Sequence, residues 1–319
     1  MDRLVEKRGM KPNTLNSYVI IIRKILKDLR GTESFENLDF LEDIDAVGKF
    51  VGKFALATQK NYLNGIIVSL DAMNEDGKYT DLIAKYREIF EETRDQYNKD
   101  YQSGVKSKKQ ESNWTDMKTM KRVMNRIYTD LTDRGVFKKS KDEITKKEFF
   151  LLQKWVIANL FIGGGRDNPP TRADYAPMEI IKYSDYNKLE EEERKDNNYL
   201  VIRSRNTKYF QFNEYKTAGT FGEKIVKLGS KLNSVMNIWL KYNDSDSVLL
   251  NSQMKPMSAN GLVKMVPKVF ESTGKNITIN LIRHIFISEE FPNQTDEKSQ
   301  VADKMMHSVE MQGKYSLKD

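Results

Sequence analysis

The apolar residues of this chain recur at helical spacing along most of its length, and this spacing most limits what it can fold into. In the first hundred residues they return every three or four positions, as on one face of an α-helix. Four such segments predict a small helical bundle. They are Leu15 to Leu29, opening near Asn13 or Thr14; Ile44 to Phe54; Tyr62 to Met73, after a plausible N-cap at Thr58; and Leu82 to Phe90, after Thr80.

The stretch from residue 102 to 113, QSGVKSKKQESN, lacks apolar periodicity and holds Ser, Gly and Lys. Such a composition favours an exposed basic linker. We therefore predict a helical first domain over 1–103, a linker over 104–113 and a second domain over 114–319.

The second domain begins with helical spacing and then changes period. Tyr199 to Ile202 and Tyr209 to Phe212 are predicted to form two paired strands across a turn at Ser204 to Thr207, and Lys224 to Leu228 a third strand. The predicted helices of this domain follow Thr115, Thr145, Ser230, Ser258 and Thr278, with another near Thr295. The expected fold is mainly α with a small antiparallel β-sheet.

Charge and composition narrow the function classes. Lys and Arg number 53 against 46 Asp and Glu, so the net charge is +7, which suits a polyanionic partner such as nucleic acid. The absence of cysteine excludes a disulfide framework, a thiolate zinc site and a cysteine nucleophile. No apolar run approaches the roughly 18 residues of a membrane span, and the first residues do not resemble a secretory signal. We expect a soluble, intracellular protein that is not secreted.

Only two histidines occur, His284 and His307. A histidine-based metal site or a Ser-His-Asp triad would have to use one of them. His284 follows Arg283 on a predicted helix, and eight residues after His307 comes Tyr315. An Arg-His pair, a His-Ser pair and then a tyrosine resemble the terminal pattern of the tyrosine recombinases, the phage-type integrase family.

Two further positions fit that family. It places a lysine at a turn of a small sheet, and here Lys216 enters the Gly-rich stretch Thr217 to Gly222 after a predicted strand. It also places an arginine early in the catalytic domain, which Arg172 fits in the segment Pro169-Pro170-Thr-Arg-Ala-Asp-Tyr. This Pro-Pro-x-Arg-x-Asp-Tyr form looks most like members from large eukaryotic DNA viruses and their satellite mobile elements.

Arg166 is the rival for the first arginine. Arg172 is preferred because an acidic residue, Asp174, and the apolar Tyr175 and Met178 follow it, as such residues follow the family's arginine.

The resemblance implies a site-specific recombinase or integrase that cuts and rejoins duplex DNA through a 3′-phosphotyrosyl intermediate. Its N-terminal helical bundle would clamp double-stranded DNA, a homo-tetramer would act on two DNA sites, and neither cofactor, metal nor ATP would be needed. If viral, it would work in the host nucleus or at the site of viral replication. The implied catalytic groups are Tyr315, Arg172, Lys216, Arg283, His307 and Asn280, supported by His284 and Asp174.

The chemistry explains these residue types. A tyrosine oxygen can attack phosphorus, and two planar guanidinium groups with a histidine can hold the non-bridging oxygens as they gain charge. A lysine can protonate the departing 5′ oxygen. The chain departs from the family at Asn280, where His or Lys is usual, at Met306, where Gly is frequent, and in having four residues after Tyr315.

Phosphate contacts are expected at Lys60 and Asn61, near the start of the third helix, whose N-terminus adds positive dipole. Lys106, Lys108 and Lys109 in the linker are expected to follow the DNA backbone.

Each of these residues alone is more often structural than catalytic, and the ordered set carries the hypothesis. Two alternatives stay open: a type IB topoisomerase, which shares the Tyr, Arg and Lys chemistry, and a catalytically impaired DNA-binding protein of the same fold. Asn280 and the short tail favour the second alternative.

Overall fold

The computed structural model describes residues 12–102, 105–291, 302 and 304–306, and the chain separates into two compact units, Met1–Ser103 and Gly104–Asp319. Among these residues helices predominate and the strands form one four-stranded sheet. The prediction of a mainly helical chain with a small sheet is confirmed. A predicted helix near Thr295 lies outside the described residues.

The first unit is built from helices around one apolar core. They are α1 (Pro12–Arg30), α2 (Ile44–Val51), α3 (Leu56–Ala72) and α4 (Thr80–Gln102), with a 3₁₀ turn at Asp39–Glu42. Gly65 lets α3 lie close to α1, because a Cβ there would come within 3.0 Å of the Ile21 side chain. Tyr86 on α4 donates a hydrogen bond to the Leu41 carbonyl at 2.7 Å, which fixes the 3₁₀ turn against the core.

The helix α3 begins earlier than predicted, and Thr58 is not its N-cap. Ala55 is extended, and its carbonyl accepts hydrogen bonds from the amides of Thr58 and Gln59. The side chain of Gln59 also donates to the Phe54 carbonyl at 2.7 Å. The first turn is therefore secured without a capping hydroxyl, and the helix starts at Leu56.

The second unit combines helices with the sheet. Its helices are α5 (Lys108–Asn113), α6 (Met117–Asp133), α7 (Lys146–Ala158), α8 (Tyr183–Tyr186), α9 (Glu191–Lys195), α10 (Ala218–Phe221), α11 (Ser230–Tyr242), α12 (Ala259–Val269) and α13 (Ile279–Glu290). Its strands are β1 (Glu179–Lys182), β2 (Tyr199–Ser204), β3 (Thr207–Phe212) and β4 (Lys224–Lys227). A π-helical turn, Asn159–Gly163, follows α7, and 3₁₀ turns lie at Val136–Lys138, Lys141–Glu143 and Glu271–Thr273.

The predicted linker contains structure. Ser107 and Gln110 form a capping box, in which each side chain bonds the other residue's amide, and α5 follows. Two reciprocal bonds satisfy amides that a short helix would otherwise leave unpaired.

The sheet is mixed, so the prediction of an antiparallel sheet is wrong in one respect. Its order is β1-β2-β3-β4, and β1 runs parallel to β2 while the other pairs are antiparallel. The sequence of β1, Glu-Ile-Ile-Lys, places its two apolar residues next to each other and so gives no alternating pattern. Leu200, Phe210 and Phe212 face the main core, whereas Tyr199 and Val201 pack on the opposite face.

Candidate active site

The carbonyls of Met305 and Met306 are the meeting point of three segments that are distant in sequence. Arg172 Nη1 donates to the Met306 carbonyl at 3.0 Å, and Thr217 Oγ1 donates to the same oxygen at 3.0 Å. Arg283 Nη2 donates to the Met305 carbonyl at 3.4 Å. The structure thus brings together Arg172, Arg283 and the segment that carries Lys216.

Met306 holds this meeting point in an unusual backbone conformation. Its φ is +57°, in the left-handed region that favours glycine, and its side chain is buried. The family resemblance gives a frequent glycine at this position. Methionine in place of glycine at this position therefore affects the backbone conformation as well as side-chain packing.

The loop that carries Arg172 is fixed on both sides. Before it, the Asn168 side chain donates to the Lys227 carbonyl at 3.0 Å and accepts from the Gly229 amide at 2.7 Å. After it, the ring of Tyr175 is buried against Phe210, with centroids 5.1 Å apart. The guanidinium of Arg172 is half-buried between these anchors.

Asp174 places a buried carboxyl group near the two arginines. Its Oδ2 is buried and has no hydrogen-bond partner among the described residues. Burial raises the pKa of Asp174 above its ordinary value, while the charges of Arg172 and Arg283 act to lower it. The carboxylate and both guanidinium groups form one electrostatic cluster.

The helix α13 places the second arginine. Thr278 caps it by accepting from the Leu281 amide at 3.3 Å, as its sequence predicts. Arg283 is fully buried and His284 is buried, whereas Asn280, one turn before Arg283, is exposed. Both residues of the Arg-His pair are therefore set into the body of the second unit.

Lys216 is exposed between β3 and a short helix. The residues after it were predicted to form a Gly-rich turn, but Ala218–Phe221 form α10. The Thr217 carbonyl accepts from the amides of Thr220 and Phe221, which winds the chain into one helical turn. The left-handed Gly222, at φ +67°, ends that turn.

The guanidinium of the rival arginine, Arg166, is engaged at the end of α13. Its Nε donates to a Glu290 carboxylate oxygen at 3.2 Å, and its Nη2 donates to the Glu290 carbonyl at 2.7 Å. Its guanidinium also lies over the Phe291 ring, 4.6 Å from the centroid. These contacts favour Arg172 over Arg166 as the first site arginine.

His307 and Tyr315, which sequence analysis predicts as catalytic, lie outside the described residues. His307 directly follows Met306 in the chain.

Sequence analysis missed Thr217 and Asn198. Thr217 contributes through its hydroxyl bond to the Met306 carbonyl. Asn198 is buried and bonds the main chain at Asp174 and Glu214. The sole signal for Asn198 is an Asn-Asn pair before a strand, which a simple turn would also produce.

The predicted DNA contacts of the first unit are placed differently from expectation. Because α3 begins at Leu56, Lys60 and Asn61 lie past its first turn and away from its unpaired amides. The Lys60 ammonium lies over the Tyr97 ring, 4.3 Å from the centroid, and Asn61 is exposed. The positive N-terminus of α3 therefore does not favour phosphate contacts at Lys60 and Asn61.

The predicted contacts near α5 are more accessible. Lys108 and Lys109 are exposed on its first turn. The Lys106 ammonium lies over the Trp114 ring at 4.5 Å from the centroid.

Within 12–102, 105–291, 302 and 304–306, no group of three or more His, Cys, Asp or Glu residues is placed to hold a metal ion. In the same part of the chain, no helix is both long and apolar enough to cross a membrane.

Comparison with known proteins gives little further information. No model of a known protein family matches the chain, and no curated protein matches it. Among solved structures, the crystal structure of XerA recombinase aligns with 100% of this chain and 92% of its own, at 10% identity and a TM-score of 0.40. Values this low do not establish membership of a family.

Proposed function

We propose that the chain is a site-specific DNA recombinase of the tyrosine type. The observation that carries the proposal is the convergence of Arg172, Thr217 and Arg283 on two successive carbonyls. The family resemblance implies catalytic roles for Arg172 and Arg283. It also implies such roles for Lys216, which directly precedes Thr217, and for His307, which directly follows Met306.

In the proposed reaction, Tyr315 Oη forms a bond to the phosphorus of a DNA phosphodiester while the bond to the 5′ oxygen breaks. The tyrosine proton passes to solvent, and the Lys216 ammonium gives a proton to the departing 5′ oxygen. The 3′-phosphotyrosyl link conserves the energy of the broken bond. A 5′ hydroxyl from another strand then attacks the phosphorus, releases the tyrosine and completes the exchange.

The two arginines would hold the non-bridging oxygens. Arg172 uses one N–H on the Met306 carbonyl, and its guanidinium has no other hydrogen bond within the described residues, so its remaining donors can reach a phosphate. Arg283 is fully buried, and its Nη2 donates to the Met305 carbonyl. In the proposal, the segment that carries Met305 shifts when Arg283 meets the phosphate.

Asn280 limits the proton chemistry. It is exposed one turn before Arg283, where an amide can donate a hydrogen bond to a phosphate but cannot transfer a proton near neutral pH. The proton transfer to the leaving group therefore depends on Lys216.

The test is covalent capture of DNA. A pool of nicked duplexes with randomised sequence is incubated with the protein, so that the short fragment diffuses away after cleavage. Wild type is expected to retain DNA through denaturation, and sequencing that DNA gives the target site and the attached end. Tyr315→Phe should bind the same duplexes but retain none. Equal, background-level retention by both proteins would refute the proposal.

Two outcomes distinguish the alternatives. Binding without covalent capture supports a DNA-binding protein of the same fold, which the amide at Asn280 favours. Supercoil relaxation by a monomer, without exchange between two sites, supports a type IB topoisomerase. Exchange between two captured sites by a tetramer is the result that the proposal expects.

A further inference from the structure

Asn198 is a buried amide whose entire hydrogen-bonding capacity is used by the main chain. It is 6% exposed and directly precedes β2. Its Nδ2 donates to the carbonyls of Asp174 at 3.2 Å and Glu214 at 2.8 Å. Its Oδ1 accepts from the amides of Asn213 and Glu214, both at 2.9 Å. Two donors and two lone pairs are all that an asparagine side chain offers.

These four bonds join the two segments that carry candidate catalytic groups. Asp174 lies two residues after Arg172, and Glu214 lies two residues before Lys216. Each bonded carbonyl is therefore only two Cα–Cα steps of about 3.8 Å along the chain from the catalytic residue near it. The backbone of Asn198 is itself fixed, because its carbonyl accepts from the Glu179 amide at 2.8 Å.

The residues on either side of Lys216 make two further bonds. Tyr215 donates its hydroxyl to the Gly222 carbonyl at 2.7 Å, and Thr217 donates to the Met306 carbonyl. The backbone at Lys216 is therefore anchored before and after, while the lysine side chain is exposed. A general acid needs this arrangement, in which the backbone is held in place and the ammonium group is accessible.

We infer that Asn198 is a positioning residue for the reaction, which sets the Lys216 ammonium in register with the phosphate held by Arg172. The inference rests on the proposed function. It predicts that removing the Asn198 amide mainly impairs protonation of the leaving group, because three of its four bonds are to the chain just before Lys216. The loop that carries Arg172 keeps its other anchor, the bonds of Asn168 to Lys227 and Gly229.

The test replaces the leaving 5′ oxygen by sulfur in the duplex captured above. When the P–S bond breaks, the sulfur leaves as a thiolate, and because thiols have a pKa of about 8.5 it needs no proton. On the ordinary duplex, Asn198→Ala should slow cleavage by about 10- to 100-fold. On the sulfur duplex, it should cleave at nearly the wild-type rate. Lys216→Ala sets the benchmark for this rescue, and Arg172→Ala should not be rescued.

Asn198→Asp provides a second variant, since it keeps the two accepted bonds and loses the two donated ones. Gln153→Leu is the matched control. Gln153 is also a buried amide that bonds the main chain, donating to the Leu250 carbonyl and accepting from the Leu250 amide, both at 2.8 Å. Its loss should not change the ratio of rates on the two duplexes.

The outcomes separate this inference from the proposed function. If wild type cleaves neither duplex, the proposed function fails. The inference fails if wild type cleaves but the sulfur duplex rescues neither Asn198 variant. It also fails if both Asn198 variants unfold while Gln153→Leu stays folded. In either case Asn198 has a structural role alone.

Discussion

At the residue scale, Met306 combines two opposed contributions to stability. A left-handed backbone costs a non-glycine residue about 1–2 kcal/mol, whereas full burial of a methionine side chain contributes about 1.5–3 kcal/mol. Met306 has both features, with φ +57° and a side chain that is 1% exposed. The two contributions are of similar size, so burial offsets the backbone cost and a bulky residue can occupy a position suited to glycine.

Paired substitutions separate the two contributions. Met306→Ala keeps the backbone cost and loses the burial, while Met306→Gly loses both. We therefore expect the glycine variant to be more stable than the alanine variant by about 1 kcal/mol in urea unfolding. Met305 is buried and does not have a positive φ, so there the order should reverse by about 0.5–1 kcal/mol. If the glycine variant is the more stable at both positions, or the alanine variant is the more stable at both, the backbone explanation is wrong.

At the scale of elements, Glu148 connects the start of α7 to the preceding loop. It forms a capping box with Thr145 and accepts a hydrogen bond from Lys139 at 2.6 Å. The bond from the Lys139 ammonium, together with the Thr145 amide, lowers the pKa of Glu148 to about 2. A depressed carboxyl pKa stabilises the fold above the ordinary value of 4.5 and ceases to do so as the pH falls toward 2.

Glu148→Gln should therefore destabilise the protein by about 1–2 kcal/mol at pH 7. The difference from wild type should shrink as the pH falls from 4.5 to about 2, as measured by denaturant unfolding across that range. Glu143→Gln, which alters a similar capping box at an exposed 3₁₀ turn, should have a smaller effect. A Glu148 effect that is independent of pH would indicate lost packing in place of lost charge.

The elements also show what sequence can predict. Helices capped by a side chain, such as those after Thr145, Ser258 and Thr278, begin where the sequence indicates, because the cap is a local interaction. The start of α3 depends on the Ala55 carbonyl, and β1 depends on pairing with β2, so neither leaves a local signal.

Sequence also predicts only some of the residues of the candidate site. An ordered motif predicts Arg172, Lys216 and Arg283. The roles of Thr217 and Asn198 depend on hydrogen bonds to carbonyls of distant segments, which no local pattern encodes.

At the scale of the whole molecule, some exposed lysines form ion pairs and others do not. Exposed ion pairs occupy many lysines, including Lys27 with Glu33, Lys188 with Asp185 and Lys195 with Glu191. Lys108 and Lys109 are exposed and make no ion pair with any residue that the structure describes. Charges of this second kind can meet DNA phosphates without first giving up a partner.

Under the proposed function, this difference predicts how the affinity for DNA responds to salt. Each phosphate that a lysine neutralises makes the plot of log affinity against log salt steeper by about 0.9. Replacing Lys108 and Lys109 by alanine should therefore weaken binding on all sequences alike and flatten that slope by up to about 2. The control replaces Lys188 and Lys195 by alanine, which removes the same charge from ion-paired positions. If the control flattens the slope equally, total charge governs binding and the residues around α5 do not form a DNA contact.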